Sequence, residues 1–222
     1  MRNNQLNSNS KVKATVILLT SVLLVAVVSQ TTLTLFSGQV LYSYVFADVV
    51  TGTDGDDNLS GTDGNDAIEG RGGDDNIDSE GGNDLNVGDH NVGGDDGGND
   101  NIDSGDGNDL NTGDNGFGSG DGGDDTINSG DGDDRNIGDN FVDTGNGGDD
   151  KIKSGKGNDI NHGDNLIGTG DGGDDKINGG QGDDTMTGST GADKFQCGSG
   201  DDTVTDFNEA EGDKATGNCE NV

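Results

Sequence analysis

The chain has 222 residues, 45 of them Asp or Glu and 11 Lys or Arg, for a formal net charge of −34. It holds 45 glycines, no proline, no tryptophan and only 25% hydrophobic residues, many of them in the first 47 positions. This composition excludes a large continuous apolar core, and it excludes a nucleic-acid partner, whose phosphates such a charge repels. Taken alone, it reads as a disordered acidic chain.

The N-terminus is a different material. Arg2, Lys11 and Lys13 precede the apolar run ATVILLTSVLLVAVV at 14–28, and a weaker apolar stretch fills 33–47. A positive start and a run of about 15 apolar residues is the pattern of a secretory signal, and a membrane-spanning helix needs roughly 20. Val45-Phe46-Ala47 ahead of Asp48 offers small residues for cleavage. The two readings of 1–47 are a cleaved signal peptide and an uncleaved N-terminal anchor. Both place 48–222 outside the cytoplasm, where the two cysteines, Cys197 and Cys219, suggest one disulfide. A bridge closing so short a loop adds about 3 kcal/mol by constraining the unfolded chain.

From residue 52 the chain repeats. GTDGDDNLS (52–60), GTDGNDAIE (61–69) and GRGGDDNID (70–78) share Gly at positions 1 and 4, Asp at 6 and an aliphatic residue at 8. The same nonapeptide closes the array in GDGGDDKIN (170–178), GGQGDDTMT (179–187), GSTGADKFQ (188–196) and CGSGDDTVT (197–205). Between them the period lengthens to 25, in copies 70–94, 95–119, 120–144 and 145–169, each divided as nine, nine and seven. Ile recurs at 77, 102, 127, 152 and 177, Asn at 86, 111, 136 and 161, and Gly-Asp opens each seven-residue piece at Asp89, Asp114, Asp139 and Asp164. Disordered acid has no reason to keep register over a hundred residues, so the repeat argues for a solenoid.

Each nonapeptide reads as a glycine-rich turn followed by a three-residue strand whose position-8 side chain points inward. Stacked about 4.8 Å apart, the coils set isoleucine on isoleucine and asparagine on asparagine. They also set aspartate on aspartate. Carboxylates about 5 Å apart repel by roughly 3 kcal/mol at an effective dielectric of 20, and ten such contacts exceed the ~5–15 kcal/mol stability of an ordinary domain. No lysine or arginine column is evident to offset them. The turn offers carboxylate and carbonyl oxygens with no histidine or thiolate cluster, a donor set that suits Ca²⁺ better than zinc, copper or Mg²⁺.

These nonapeptides resemble the RTX (repeats-in-toxin) calcium-binding repeats, of pattern G-G-x-G-x-D-x-U-x. The segment 191–214, with Asp206-Phe207, resembles that family's closing segment. The resemblance implies an all-β chain, a parallel β-roll or β-helix solenoid with several Ca²⁺ ions between successive turns. The position-6 aspartates are the implied ligands: Asp57, Asp66, Asp75, Asp84, Asp100, Asp109, Asp125, Asp134, Asp150, Asp159, Asp175, Asp184, Asp193 and Asp202. The expected organisation is 1–47 signal or anchor, 48–205 solenoid and 206–222 C-terminal cap, with 25-residue coils in the centre and nonapeptide coils at both ends. The chain departs from the family in its 25-residue coils, in the inward asparagine column and in its N-terminal export signal. The seven-residue piece makes either a third short side or a bulging loop.

Other chemistry finds little support. His90 and His162 fall in different columns and read as exposed turn residues. Ser79, Ser104, Ser129 and Ser154 repeat as small turn residues do, whereas a nucleophile needs one serine with a base and an orienting group. The Asn58 sequon occurs once, in an expected strand. The residues beyond the repeats, 206–222, are too few for a catalytic domain. The expectation is an exported, noncatalytic calcium-binding protein that folds on Ca²⁺, a surface or extracellular structural or adhesive module that meets a membrane only through an uncleaved N-terminus. The alternatives are a repeat portion associated with a secreted enzyme or toxin, an ice- or mineral-binding surface, and a disordered acidic calcium buffer.

Overall fold

The computed structural model describes residues 46–90, 96–114, 120–139, 142–164, 167–168 and 170–221. The expected signal or anchor lies outside the described residues, apart from its last two positions. Among the described residues all regular structure is strand. The strands form two parallel walls that the chain visits alternately.

The first wall stacks Val49–Thr51, Ala67–Arg71, Leu85–Asp89, Leu110–Asp114, Arg135–Ile137, Ile160–His162, Thr185–Thr187, Asp202–Val204 and Cys219–Asn221. The second stacks Asn58–Thr62, Asn76–Glu80, Asn101–Asp103, Thr126–Asp131, Lys151–Lys156, Lys176–Gln181, Lys194–Ser199 and Lys214–Thr216. This is the parallel β-solenoid that the repeat implies. Its register follows the repeat length. Val49 pairs with Ala67 and Lys176 with Lys194, one pair of nonapeptides apart. Asn76 pairs with Asn101 and Lys151 with Lys176, one long repeat apart. The last two long coils carry a third short side, where Val142–Asp143 pairs in parallel with Ile167–Gly168. Residues of 206–222 extend both walls, through Lys214–Thr216 on Lys194–Ser199 and Cys219–Asn221 on Asp202–Val204.

Several second-wall strands are longer than the three residues expected. Thr126–Asp131 and Lys151–Lys156 run through position 9 into the next nonapeptide, because Gly130 and Gly155 keep the pairing across the junction.

The interior is narrow, with one large side chain per coil on the second wall and a small residue such as Ser79 or Ser129 beside it. The second wall contributes Ile77, Ile102, Ile127, Ile152, Ile177 and Phe195, all at most 2% exposed. Burying each is worth roughly 1.5–3 kcal/mol. The first wall contributes Ile68, Met186 and Val204 toward the ends, and Asn86, Asn111, Asn136 and Asn161 in the middle. Asn86, Asn111 and Asn136 each donate from the amide to the next coil's Asn Oδ1 at 2.9 Å. The column is thereby satisfied between its ends, while Asn86 Oδ1 and the Asn161 amide nitrogen are buried without a partner.

The serine column has a different role from the one expected. Ser79, Ser104, Ser129 and Ser154 are fully buried, not turn residues. Asn86 donates to Ser79 Oγ at 3.0 Å, Asn136 to Ser129 Oγ at 2.9 Å, and the Ser154 hydroxyl to Asn161 Oδ1 at 2.7 Å. A small hydroxyl fits opposite a buried amide and supplies it with a partner. Cys197 occupies the same inward column near the C-terminal end and is joined to Cys219 by a disulfide, with Cα atoms 5.4 Å apart.

Candidate metal centre

The Asp-rich turns join one wall to the next, and two adjacent positions behave in opposite ways. At position 6, the backbone N–H donates forward to the Oδ1 of the equivalent Asp one coil on, and in the last two turns Asp193 and Asp202 donate to Asp213 and Glu220 instead. Asp100 N–H donates to Asp125 Oδ1 at 2.7 Å, Asp125 to Asp150 at 2.6 Å, and Asp134 to Asp159 at 2.8 Å. At position 5 the direction reverses. Asp124 N–H donates back to Asn99 Oδ1 at 2.8 Å, and Asp149 to Asp124 Oδ1 at 2.9 Å. Position 5 varies between Asp and Asn, as at Asn99, Asp124, Asn108 and Asp133, and is Ala192 near the C-terminal end of the stack. Either Asp or Asn supplies the one acceptor oxygen required. Position 6 is Asp in every nonapeptide. If one acceptor sufficed there, Asn would serve equally well.

The second oxygen explains the difference. Oδ2 of Asp75, Asp84, Asp100, Asp109, Asp125, Asp134, Asp150, Asp159, Asp175, Asp184, Asp193 and Asp202 is buried without a hydrogen-bond donor. A buried anionic oxygen without a partner is costly, and here it recurs once per turn. Burial is the main force on these groups. It raises Asp100 and Asp109 to about 8, against 3.8 ordinarily, although the N–H bonds from Asp75 and Asp84 pull the other way. Asp159 and Asp184 rise to about 7 and Asp175 to about 9, again through burial first. Asp125 and Asp150 are raised well above the ordinary value by burial and then by neighbouring carboxylates.

Backbone carbonyls converge on the same places. A Cβ added at Gly113 would collide with both Asp125 Oδ2 and the Gly138 carbonyl, and one at Gly138 with Asp150 Oδ2 and the Gly163 carbonyl. Glycine therefore leaves a space lined by carboxylate and carbonyl oxygen. This donor set fits a hard divalent cation of Ca²⁺ type. Such an ion would supply positive charge to the orphaned Oδ2 atoms. The residues themselves hold the cradle open and fix each carboxylate through its Oδ1 bond.

The first two expected ligands are placed differently. Asp57 Oδ2 accepts from the Thr53 N–H at 2.5 Å and hydroxyl at 2.8 Å. Asp66 Oδ2 accepts from the Thr62 N–H at 2.6 Å and hydroxyl at 2.9 Å. There threonine takes up the oxygen that is orphaned in later turns. Four acids outside the expected ligand set also come to the turns. Asp89, Asp114, Asp139 and Asp164 are at most 2% exposed. Asp75, Asp89 and Asp100 form one group able to hold an ion and Asp114, Asp125 and Asp139 another, with oxygens within 4.8 Å of one another in each. The Gly-Asp column signalled them, but it falls outside the nonapeptide.

Two readings of the basic residues need correction. A lysine column does exist: Lys151, Lys176, Lys194 and Lys214 pair in register on the second wall. All four are exposed. They face solvent while the position-6 carboxylates face the turn interior, so they do not neutralise the acids. His162 lies in a strand rather than a turn, and its imidazole is pushed down to about 4 by burial and then by Arg135. His90 is exposed, with Nδ1 3.7 Å from Glu69 Oε1.

A parallel solenoid whose every turn presents oxygen ligands is a repeat protein organised around hard cations. The family profile of the RTX calcium-binding nonapeptide repeat (4 copies) matches residues 51–85, 136–165 and 169–204. These segments are RTX calcium-binding repeats, and together with the acidic groups of the turns they make this a calcium-binding repeat protein. The unmatched stretch between 85 and 136 keeps the same columns in the same register. No curated protein matches the chain.

Proposed function

We propose that the protein is an exported, noncatalytic calcium-binding solenoid that folds when it meets calcium and then serves as a structural or adhesive module at the cell surface or outside the cell. The recurrence of an unpartnered, buried Asp Oδ2 in turn after turn carries this reading. Without cations the stacked carboxylates repel one another and the thin core does not outweigh them. With extracellular calcium, at the 10⁻⁴–10⁻³ M affinities typical of extracellular modules, binding free energy becomes folding free energy. The apolar run after Arg2, Lys11 and Lys13 supports export to that calcium-rich side. Acidic turns repeated in register along the stack suit a scaffold better than a single reaction centre. The proposed ligands are the twelve position-6 aspartates from Asp75 to Asp202, with Asp57 and Asp66 as the terminal members.

The test is hydrodynamic. The full chain is run through size exclusion in calcium and in chelator. A reversible, calcium-specific contraction supports coupled folding, and one unchanged radius in both buffers rules it out. N-terminal sequencing of protein recovered outside the cell tests export, with Asp48 as the expected first residue if the signal is cleaved.

A further inference from the structure

We infer that the Gly-Asp carboxylates of the long coils are cation ligands in their own right, so that Asp114, Asp125 and Asp139 form a three-carboxylate site for a divalent cation, distinct from the turns built on position 6 alone. This rests on the calcium reading above and adds to it a second class of site.

Two corners of each long coil can be compared directly. At the corner of the second nonapeptide, Asp109 and Asp134 stack with no Gly-Asp carboxylate beside them. At the corner of the first, Asp114 and Asp139 enter. Asp114 Oδ2 accepts from the Gly123 N–H at 2.8 Å, and Asp139 Oδ2 from Gly148 at 3.1 Å. These bonds aim the carboxylates between successive loops. The oxygens of Asp114, Asp125 and Asp139 come within 4.8 Å of one another. Asp125 Oδ2 and Asp139 Oδ1 are buried there with no donor, on side chains at most 1% exposed.

The glycine pattern marks the same difference. Position 3 is glycine in the first-nonapeptide loops, as at Gly97 and Gly122, whereas in the second it is Gly81 in the first long coil but a longer residue afterwards, as at Asp106 and Asp131. A Cβ at Gly97 would collide with Asp114, and one at Gly122 with Asp139. Position 3 is open in the general nonapeptide pattern, so its restriction follows from the entering carboxylate. The loop backbone differs as well. Gly130 and Gly132 of the second loop are left-handed, at φ 92° and 153°, and Gly122 and Gly123 are not.

Charge sets the stoichiometry. Each long coil contributes two buried carboxylates at this corner, Asp125 and Asp139 in one coil, so one divalent ion per coil neutralises it. The charged groups that act on Asp125 are Asp114, Asp100 and Asp139, all acids. A second group, Asp75, Asp89 and Asp100, also brings a Gly-Asp carboxylate to this corner, here between two position-6 aspartates.

Calcium binding to the full chain is measured by equilibrium dialysis for wild type, D114N/D139N and the exposed control D124N. Asparagine keeps the oxygen that accepts from Gly123 or Gly148 and removes the charge. The expected result is loss of at least one bound ion, or at least tenfold weaker binding of it, in D114N/D139N, with D124N unchanged. Wild-type stoichiometry and affinity in D114N/D139N would overturn the inference and leave the calcium reading intact. No calcium bound by wild type would instead sink the calcium reading itself. If D114N/D139N fails to gain β structure at saturating calcium, lanthanide anomalous scattering from wild-type crystals decides. A peak between Asp114, Asp125 and Asp139 supports the site, and a peak series confined to the other corner refutes it.

Discussion

The N–H of Asp125 donates forward to Asp150 Oδ1 at 2.6 Å, while its neighbour Asp124 donates backward to Asn99 Oδ1 at 2.8 Å. Two consecutive aspartates thus make mirror-image bonds, yet only one leaves a buried oxygen without a donor. The pair is an internal control for what the negative charge does. Asp125→Asn should reduce stability in calcium by ~1–3 kcal/mol, the scale for a buried charged group deprived of its partner. Asp124→Asn should change it by no more than about 0.5 kcal/mol, as for ordinary surface substitutions. Thermal unfolding in excess calcium distinguishes them, and equal losses would contradict the separation of roles.

Protons can stand in for cations. Asp100 and Asp109, at about 8, and Asp159 and Asp184, at about 7, are raised above the ordinary 3.8 by burial. A carboxyl raised on folding binds its proton more tightly in the folded chain. Its contribution is therefore complete below pH ~4 and is lost as pH rises through its folded value. In chelator, the β signal should appear on acidification and vanish between about pH 6 and 9. A chelated chain equally unstructured at pH 4 and pH 8 would contradict this.

The inward amides form a second set of obligations. Asn136 donates to both Asn161 Oδ1 and Ser129 Oγ, at 2.9 Å each, and accepts from Asn111. Asn136→Ala leaves the Asn111 amide without its acceptor, at a cost of ~1–3 kcal/mol. Ser129→Ala removes one weaker partner and should cost about 1 kcal/mol. Chemical denaturation at fixed calcium reads both, and an Asn136→Ala protein as stable as wild type would show that the ladder is not holding this wall.

The disulfide closes the C-terminal end. Cys197 is buried within the core and Cys219 belongs to the last strand of the first wall. A separation of 22 residues gives about 3 kcal/mol in the chain-entropy description. Reduction should lower the denaturation midpoint in calcium and loosen 206–221 first. Hydrogen exchange locates the effect, and uniform loss of protection along the chain would argue against a local clamp.

The stack was legible in the sequence because a solenoid writes its geometry as a period. Ile77, Ile102 and Ile127 could be placed on one column from spacing alone, as could Asn86, Asn111 and Asn136. The hydroxyl column was harder. Ser129 is small, polar and beside glycine, which is also how a turn residue looks, and its burial depends on Asn136 seven residues later. The opposed directions of the Asp124 and Asp125 bonds left only an indirect trace, the tolerance of Asn at position 5. Asp114 and Asp139 were visible as a column, but only the fold brings them to Asp125. The stacked lysines were obscured by the change of period from 25 to 18 between Lys176 and Lys194.

The most direct measurement is far-UV circular dichroism of the full chain at neutral pH, titrated with Ca²⁺ and reversed with chelator. The expected result is a cooperative, reversible coil-to-β transition that Mg²⁺ does not reproduce at the same concentration. A chain already β-structured in chelator, or one still unstructured at millimolar Ca²⁺, would contradict the claim that calcium holds these carboxylates together.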